Sequence, residues 1–189
     1  VIEAYYANPE RNRARQPQVT FSVSCFIPKP FTPFQWEPQD TLEMLEEKQE
    51  YIGECVTDRR IKYQHHDAKT CRIEAVLARG DRRLSDALEL ACREGFKFDA
   101  WSEYFDYDRW ISVFERTGVD PSFYANRRWS YEETLPWDII DCGVSKEFLI
   151  RESKKAHEGI STPNCREKCS GCGANKLGGE RTCCPKINK

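Results

Sequence analysis

The stretch VTFSVSCFIPKPFTPFQW, residues 19–36, decides the fold. Val19, Phe21, Val23, Cys25 and Ile27 alternate with Thr20, Ser22 and Ser24. A period of two is that of a β-strand, here with one apolar face and one small polar face. Pro28-Lys29-Pro30 stops the strand, because proline has no N–H to give a ladder. The loop that follows, to Pro38, is stiffened by proline and carries Lys29, Gln35 and Trp36: a cation, an amide and a stacking surface. Working outward, Asp40 with Glu43 reads as a capping box, and Leu42, Leu45, Gln49 and Ile52 trace a helical stripe to about Cys55. Residues 61–65 read as a second short strand, and a helix from about Lys69 ends at Gly80. Strands alternating with helices imply a parallel sheet or barrel.

Beyond Gly80 the pattern is helical only. One helix carries Leu84, Leu88 and Ala91 and ends at Gly95; another carries Trp110, Val113 and Phe114 and ends at Gly118. A third starts at Ser145, carries Phe148 and Leu149, and ends at Gly159, a good residue to close a helix. Asp120-Pro121 and residues 135–138 read as turn-rich connectors. The tail from Thr162 has no periodicity. The fold class expected is therefore α/β, with βα units at residues 1–80, a helical extension at 81–160 and a cysteine-rich, metal-binding tail at 161–189.

The 189 residues suit one domain or slightly more. A hydrophobic share of 39% with 12% aromatics is globular rather than disordered, at a mean hydropathy of −0.74. With 29 basic against 31 acidic side chains, no bulk field recruits nucleic acid or an anionic membrane. No run approaches the roughly 18 apolar residues of a membrane span, and no signal-like segment opens the chain. A cytoplasmic protein is expected. Val1 opens the sequence in mid-element, so the chain reads as a piece of something longer.

Five of the ten cysteines crowd into the last 25 residues: Cys165, Cys169, Cys172, Cys183 and Cys184. The C-x3-C-x2-C spacing brings three thiolates together only if the loop wraps around something, and Gly171 and Gly173 supply the freedom to wrap. Such loops hold an iron–sulfur cluster or a structural zinc; the three-plus-one arrangement favours the cluster, and Cys183 or Cys184 is the candidate fourth ligand. Ser22, Ser24, Lys29 and Gln35 are candidate cavity-lining residues, since barrel sites are built at the carboxyl ends of strands. Adjacent His65 and His66 face opposite ways and make poor co-ligands; a rim or cap role is expected for them and Asp67. His157 reads as a solvated helix-end residue. The aromatic run from Phe96 to Trp110 is interleaved with Asp99, Glu103, Asp106 and Asp108, so packing against the barrel is expected rather than base stacking.

VTFSVSCFIPKPFTPFQW (19–36), RIEAVLARGDRR (72–83), LPWDIIDCGVSKE (135–147) and TPNCREKCSGCGA (162–174) together resemble the C-terminal portion of a radical S-adenosylmethionine family. Its full-length members carry an N-terminal cobalamin-binding-like domain. The resemblance implies that residues 1–80 are the last βα units of a partial (βα)6 barrel and that the tail is an accessory cysteine site. It also implies reductive cleavage of S-adenosylmethionine and hydrogen abstraction from an unidentified small-molecule or macromolecular substrate, with cobalamin as a further cofactor to be considered. The family's catalytic cysteine motif lies upstream of the barrel segment, and only 17 residues follow Cys172. The missing N-terminal half of the barrel, on the same or a separate chain, is thus an expected partner, and this chain alone is expected to be inactive. The alternative is a non-enzymatic, zinc-bound interaction module.

Overall fold

The computed structural model describes residues 1–12, 14 and 16–174. A short helix α1 (Ile2–Ala7) precedes β1 (Val19–Val23). Helix α2 (Leu42–Cys55) then leads to β2 (Ile61–His65), which pairs parallel with β1 in the register Val19 to Ile61 through Val23 to His65. The unit is therefore β–α–β, continued by α3 (Ala68–Ala78). Among the described residues the sheet has two strands.

β1 is shorter than the alternating pattern of residues 19–27 implies. Its partner runs out: β2 ends at His65, and the last rung is His66 N–H to Val23 O at 3.4 Å. The alternation nevertheless sets the faces. Val19, Phe21, Val23, Ile61 and Tyr63 are half-buried, while Thr20, Ser22, Lys62 and Gln64 are exposed. Phe21 stacks on Tyr63 with ring centroids 5.1 Å apart. Gly53 of α2 lies under Tyr63, where an added Cβ would sit 3.9 Å from the ring. No residue of either strand is fully buried.

The cap of α2 differs from the sequence pattern. Thr41, not Asp40, is the N-cap and accepts from Met44 N–H, because Asp40 is drawn away by Lys48, 2.5 Å distant. Asp67 caps α3 by accepting from Thr70 N–H at 2.7 Å, the cap role expected of it.

After a 3-10 turn at Arg82–Leu84 come α4 (Ser85–Arg93), α5 (Tyr107–Arg116), α6 (Pro121–Ala125) and α7 (Lys146–His157). Gly95, Gly118 and Gly159 follow α4, α5 and α7 in left-handed conformation, with φ of 80°, 69° and 69°. The Asp120-Pro121 connector is in fact α6, capped by Asp120 with proline in its first turn. α3 joins this helical layer: Ile73 and Val76 share a core with Leu84, Ala91, Trp110, Val113, Phe114 and Tyr124. A second core gathers Trp36, Trp129, Leu135, Trp137 and Leu149, so the proline loop is packed against the segment leading to α7. No helix among the described residues is long and apolar enough to cross a membrane.

Three polar locks join these parts. Gln39, 2% exposed, donates through Nε2 to Phe26 O and Cys71 O, tying the end of the β1 extension to α3. Asn126 Nδ2 donates to the carbonyls of Gln39 and Asp40, both at 3.0 Å. Arg79 is fully buried, donates to Ala125 O and Arg127 O, and lies 4.5 Å over the Trp129 ring. Burial lowers its pKa to about 10, which still leaves it cationic at neutral pH.

Candidate functional site

The loop after β1 runs at the carboxyl end of a parallel strand, the position at which α/β folds assemble sites. Its conformation hinges on Phe31, a non-glycine residue at φ 59°. Gln35 holds that turn. Its Oε1 accepts from Phe31 N–H at 2.9 Å and from Trp137 Nε1–H at 2.8 Å, across 102 residues of chain. Both partners can only donate, so the amide orientation is fixed by chemistry. Gln35 is 3% exposed. Its nitrogen makes no hydrogen bond among the described residues, and Gln35 lines a cavity of about 430 Å3. Phe31, Trp137, Cys142, Ser145 and Lys146 complete much of that wall.

The four cavity-lining candidates are thus separated. Gln35 is a lock that also lines a cavity. Lys29 is ion-paired with Glu74 of α3, both about half-exposed. Ser22 lies on the open polar face of the sheet, and Ser24 is exposed just beyond the end of β1. The structure brings Gln35 to one cavity and leaves the other three outside its wall.

Glu37, 8% exposed, anchors the loop at its other end. It accepts from Arg128 and faces His157 Nε2 at 2.8 Å. His157 is exposed at the carboxyl end of α7, as its charged neighbourhood predicts, and its ring also meets Glu37. The fold carries α7 back across the loop, over a separation of 120 residues that no local pattern reveals.

Residues 170–173 dock on the same region. Ser145 N–H donates to Cys172 O at 2.9 Å, Arg151 donates to Ser170 O at 2.5 Å, and a Cβ on Gly173 would lie 3.0 Å from Gly143 O. Cys165 and Cys169 are exposed and Cys172 is half-buried. Among the described residues, no three Cys, His, Asp or Glu side chains are gathered closely enough to hold a metal ion. Cys183 and Cys184 lie outside the described residues. The donor chemistry suits a thiophilic metal, but the described thiols alone do not form its cage.

Other thiols are placed differently. Cys71 is buried against Cys25, and burial, with the Cys25 thiol adding to it, pushes its pKa up to about 12. It is an inert core thiol rather than a nucleophile. The aromatic run also splits: Phe96, Phe105 and Tyr107 pack on the helical core and Trp110 is part of it, whereas Phe98, Trp101 and Tyr104 stand exposed. Gln39, Asn126, Arg79 and Glu37 were invisible as a framework in the sequence, because each acts through partners remote in the chain. No family model, no curated protein and no solved structure matches this chain.

Proposed function

We propose that the chain is the C-terminal wall of a radical S-adenosylmethionine enzyme barrel. The observation that carries the proposal is the sheet. Two parallel strands with no buried residue and a bare polar face, Thr20, Ser22, Lys62 and Gln64, are an unfinished structure. Parallel sheets are normally covered on both faces, and open strand edges are ordinarily paired or protected. Further parallel strands, supplied by the N-terminal half of the barrel, would pair these edges and turn the polar face into the lining of a cavity.

In that assembly the upstream cysteine motif and S-adenosylmethionine would supply the hydrogen-abstracting radical. The residues of this chain shape the space around it. Ser22 and Ser24 line it without filling it. The Gln35 lock keeps the proline loop at the strand ends rigid, and the Lys29–Glu74 pair ties that loop to α3. Cys165, Cys169, Cys172 and Cys183 are proposed to hold an accessory iron–sulfur cluster, or zinc, in the tail. The support is their thiolate chemistry and the seat that Ser145 and Arg151 give the loop.

Purification without oxygen tests the tail. Iron, sulfide and zinc are measured in the chain and in Cys169→Ser, with absorbance near 400 nm as the optical readout of a cluster. A brown protein bleached by the substitution supports a cluster; colourless protein with stoichiometric zinc makes the tail a structural knuckle. Metal-free protein removes the tail from the proposal.

A further inference from the structure

We infer that the turn carrying Phe98, Trp101 and Tyr104, with the acidic groove beside it, is a docking surface for a lysine- and arginine-rich polypeptide segment. The three rings are 67%, 62% and 61% exposed, although their neighbours Phe96, Phe105 and Trp110 are packed inward. The turn is ordered by Trp101 N–H to Phe98 O at 2.8 Å and Tyr104 N–H to Trp101 O at 3.0 Å. Phe98 and Tyr104 lie with ring centroids 5.7 Å apart. Three large rings held in the open within seven residues form a patch of the kind that marks an interaction site.

The surroundings select the partner. Tyr104 also lines a groove of about 560 Å3 whose wall includes Asp67, Glu103, Asp106 and Asp108. Asp67 and Asp106 cap α3 and α5, which leaves Glu103 and Asp108 as the carboxylates open to a partner, and the two bases of that wall are held to rings and a backbone carbonyl. Lys69 Nζ lies 5.4 Å over the Tyr107 ring, and Arg109 sits 4.1 Å over Phe96 while donating to Glu94 O at 2.9 Å. Carboxylates beside exposed π-faces favour ammonium and guanidinium groups, which gain a cation–π contact and an ion pair at once. The same carboxylates repel nucleic-acid phosphates and anionic lipids, and they oppose like charge in a second copy of this chain. Asp67, which lies two residues beyond the end of β2, brings one wall of the groove close to the strand ends.

The test is fluorescence anisotropy with the chain and a labelled lysine- and arginine-rich peptide, against a glutamate-rich peptide and an oligouridine probe. The cationic peptide should bind at low salt and weaken as salt rises, with neither anionic probe binding. Trp101→Ala should weaken binding about fivefold, the loss of one cation–π contact. Asp108→Lys should weaken it further, whereas Ser161→Ala, away from the groove, should not. These positions are exposed, and circular dichroism checks that the variants remain folded. Absence of cationic-peptide binding at low salt, equal affinity in Trp101→Ala and the parent, or tighter binding of oligouridine would each overturn the inference. Since the readout is binding alone, its failure is separate from that of the radical chemistry proposed above.

Discussion

Replacing Gln35 by leucine removes the acceptor shared by Phe31 N–H and Trp137 Nε1–H while keeping the side chain's bulk. Both donors sit beside a residue only 3% exposed, so little water reaches that position to replace the lost oxygen. A buried donor left unsatisfied costs about 1–3 kcal/mol. Two donors, with some relaxation of the Phe31 turn, bring the loss to about 3 kcal/mol. For a chain of this size the equivalent fall in Tm is about 10 °C. Urea unfolding followed by tryptophan fluorescence is the assay, because Trp36, Trp129 and Trp137 share the core that Gln35 braces. Lys29→Ala is the control: its partner Glu74 is half-exposed, and the change should stay within about 0.5 kcal/mol. A Gln35→Leu midpoint indistinguishable from that of Lys29→Ala would refute the lock.

Gly80→Ala would set a Cβ 2.1 Å from Leu84 Cδ1, and Leu84 is only 3% exposed; a loss of about 1–3 kcal/mol is expected in the same assay. Arg79→Lys forfeits the paired donation to Ala125 O and Arg127 O and should lower stability by about 2–4 kcal/mol, read as an earlier urea midpoint with unchanged slope. Asp81 is held at a pKa of about 2, against 3.8, first by the Arg83 guanidinium and further by the Tyr124 hydroxyl. The unfolded chain therefore takes up this proton first as pH falls. The stabilisation is complete above about pH 4 and lost toward pH 2, so Asp81→Asn should flatten that limb of a stability–pH curve by about 1 kcal/mol. Ser22→Trp, on the open face, should leave the chain's own stability within about 0.5 kcal/mol, and under the proposed barrel it should abolish activity of the full-length protein.

Local chemistry made much of the fold legible. The alternation of residues 19–27 placed β1 and its faces, and Gly95, Gly118 and Gly159 marked helix ends that the backbone confirms with positive φ. The failures share a cause. Whether β1 continues to Ile27 depends on the length of β2, and whether Asp40 or Thr41 caps α2 depends on Lys48 and Asn126. Gln35 could be singled out from its place in a stiff loop, but its role could not, because Trp137 is 102 residues away. His157 and Glu37 illustrate the same limit. Periodicity reports which face a residue occupies, and it is silent on which distant donor meets it there.

The central claim is that these residues form part of a barrel that cleaves S-adenosylmethionine reductively. The most direct measurement uses the protein expressed from the whole reading frame that encodes them, purified without oxygen and given dithionite and S-adenosylmethionine. Chromatography then follows 5′-deoxyadenosine and methionine. The account predicts that both form, in step with each other and with dependence on the reductant. A brown, folded protein that leaves S-adenosylmethionine intact under these conditions, or a reading frame without an upstream C-x3-C-x2-C motif, would contradict it.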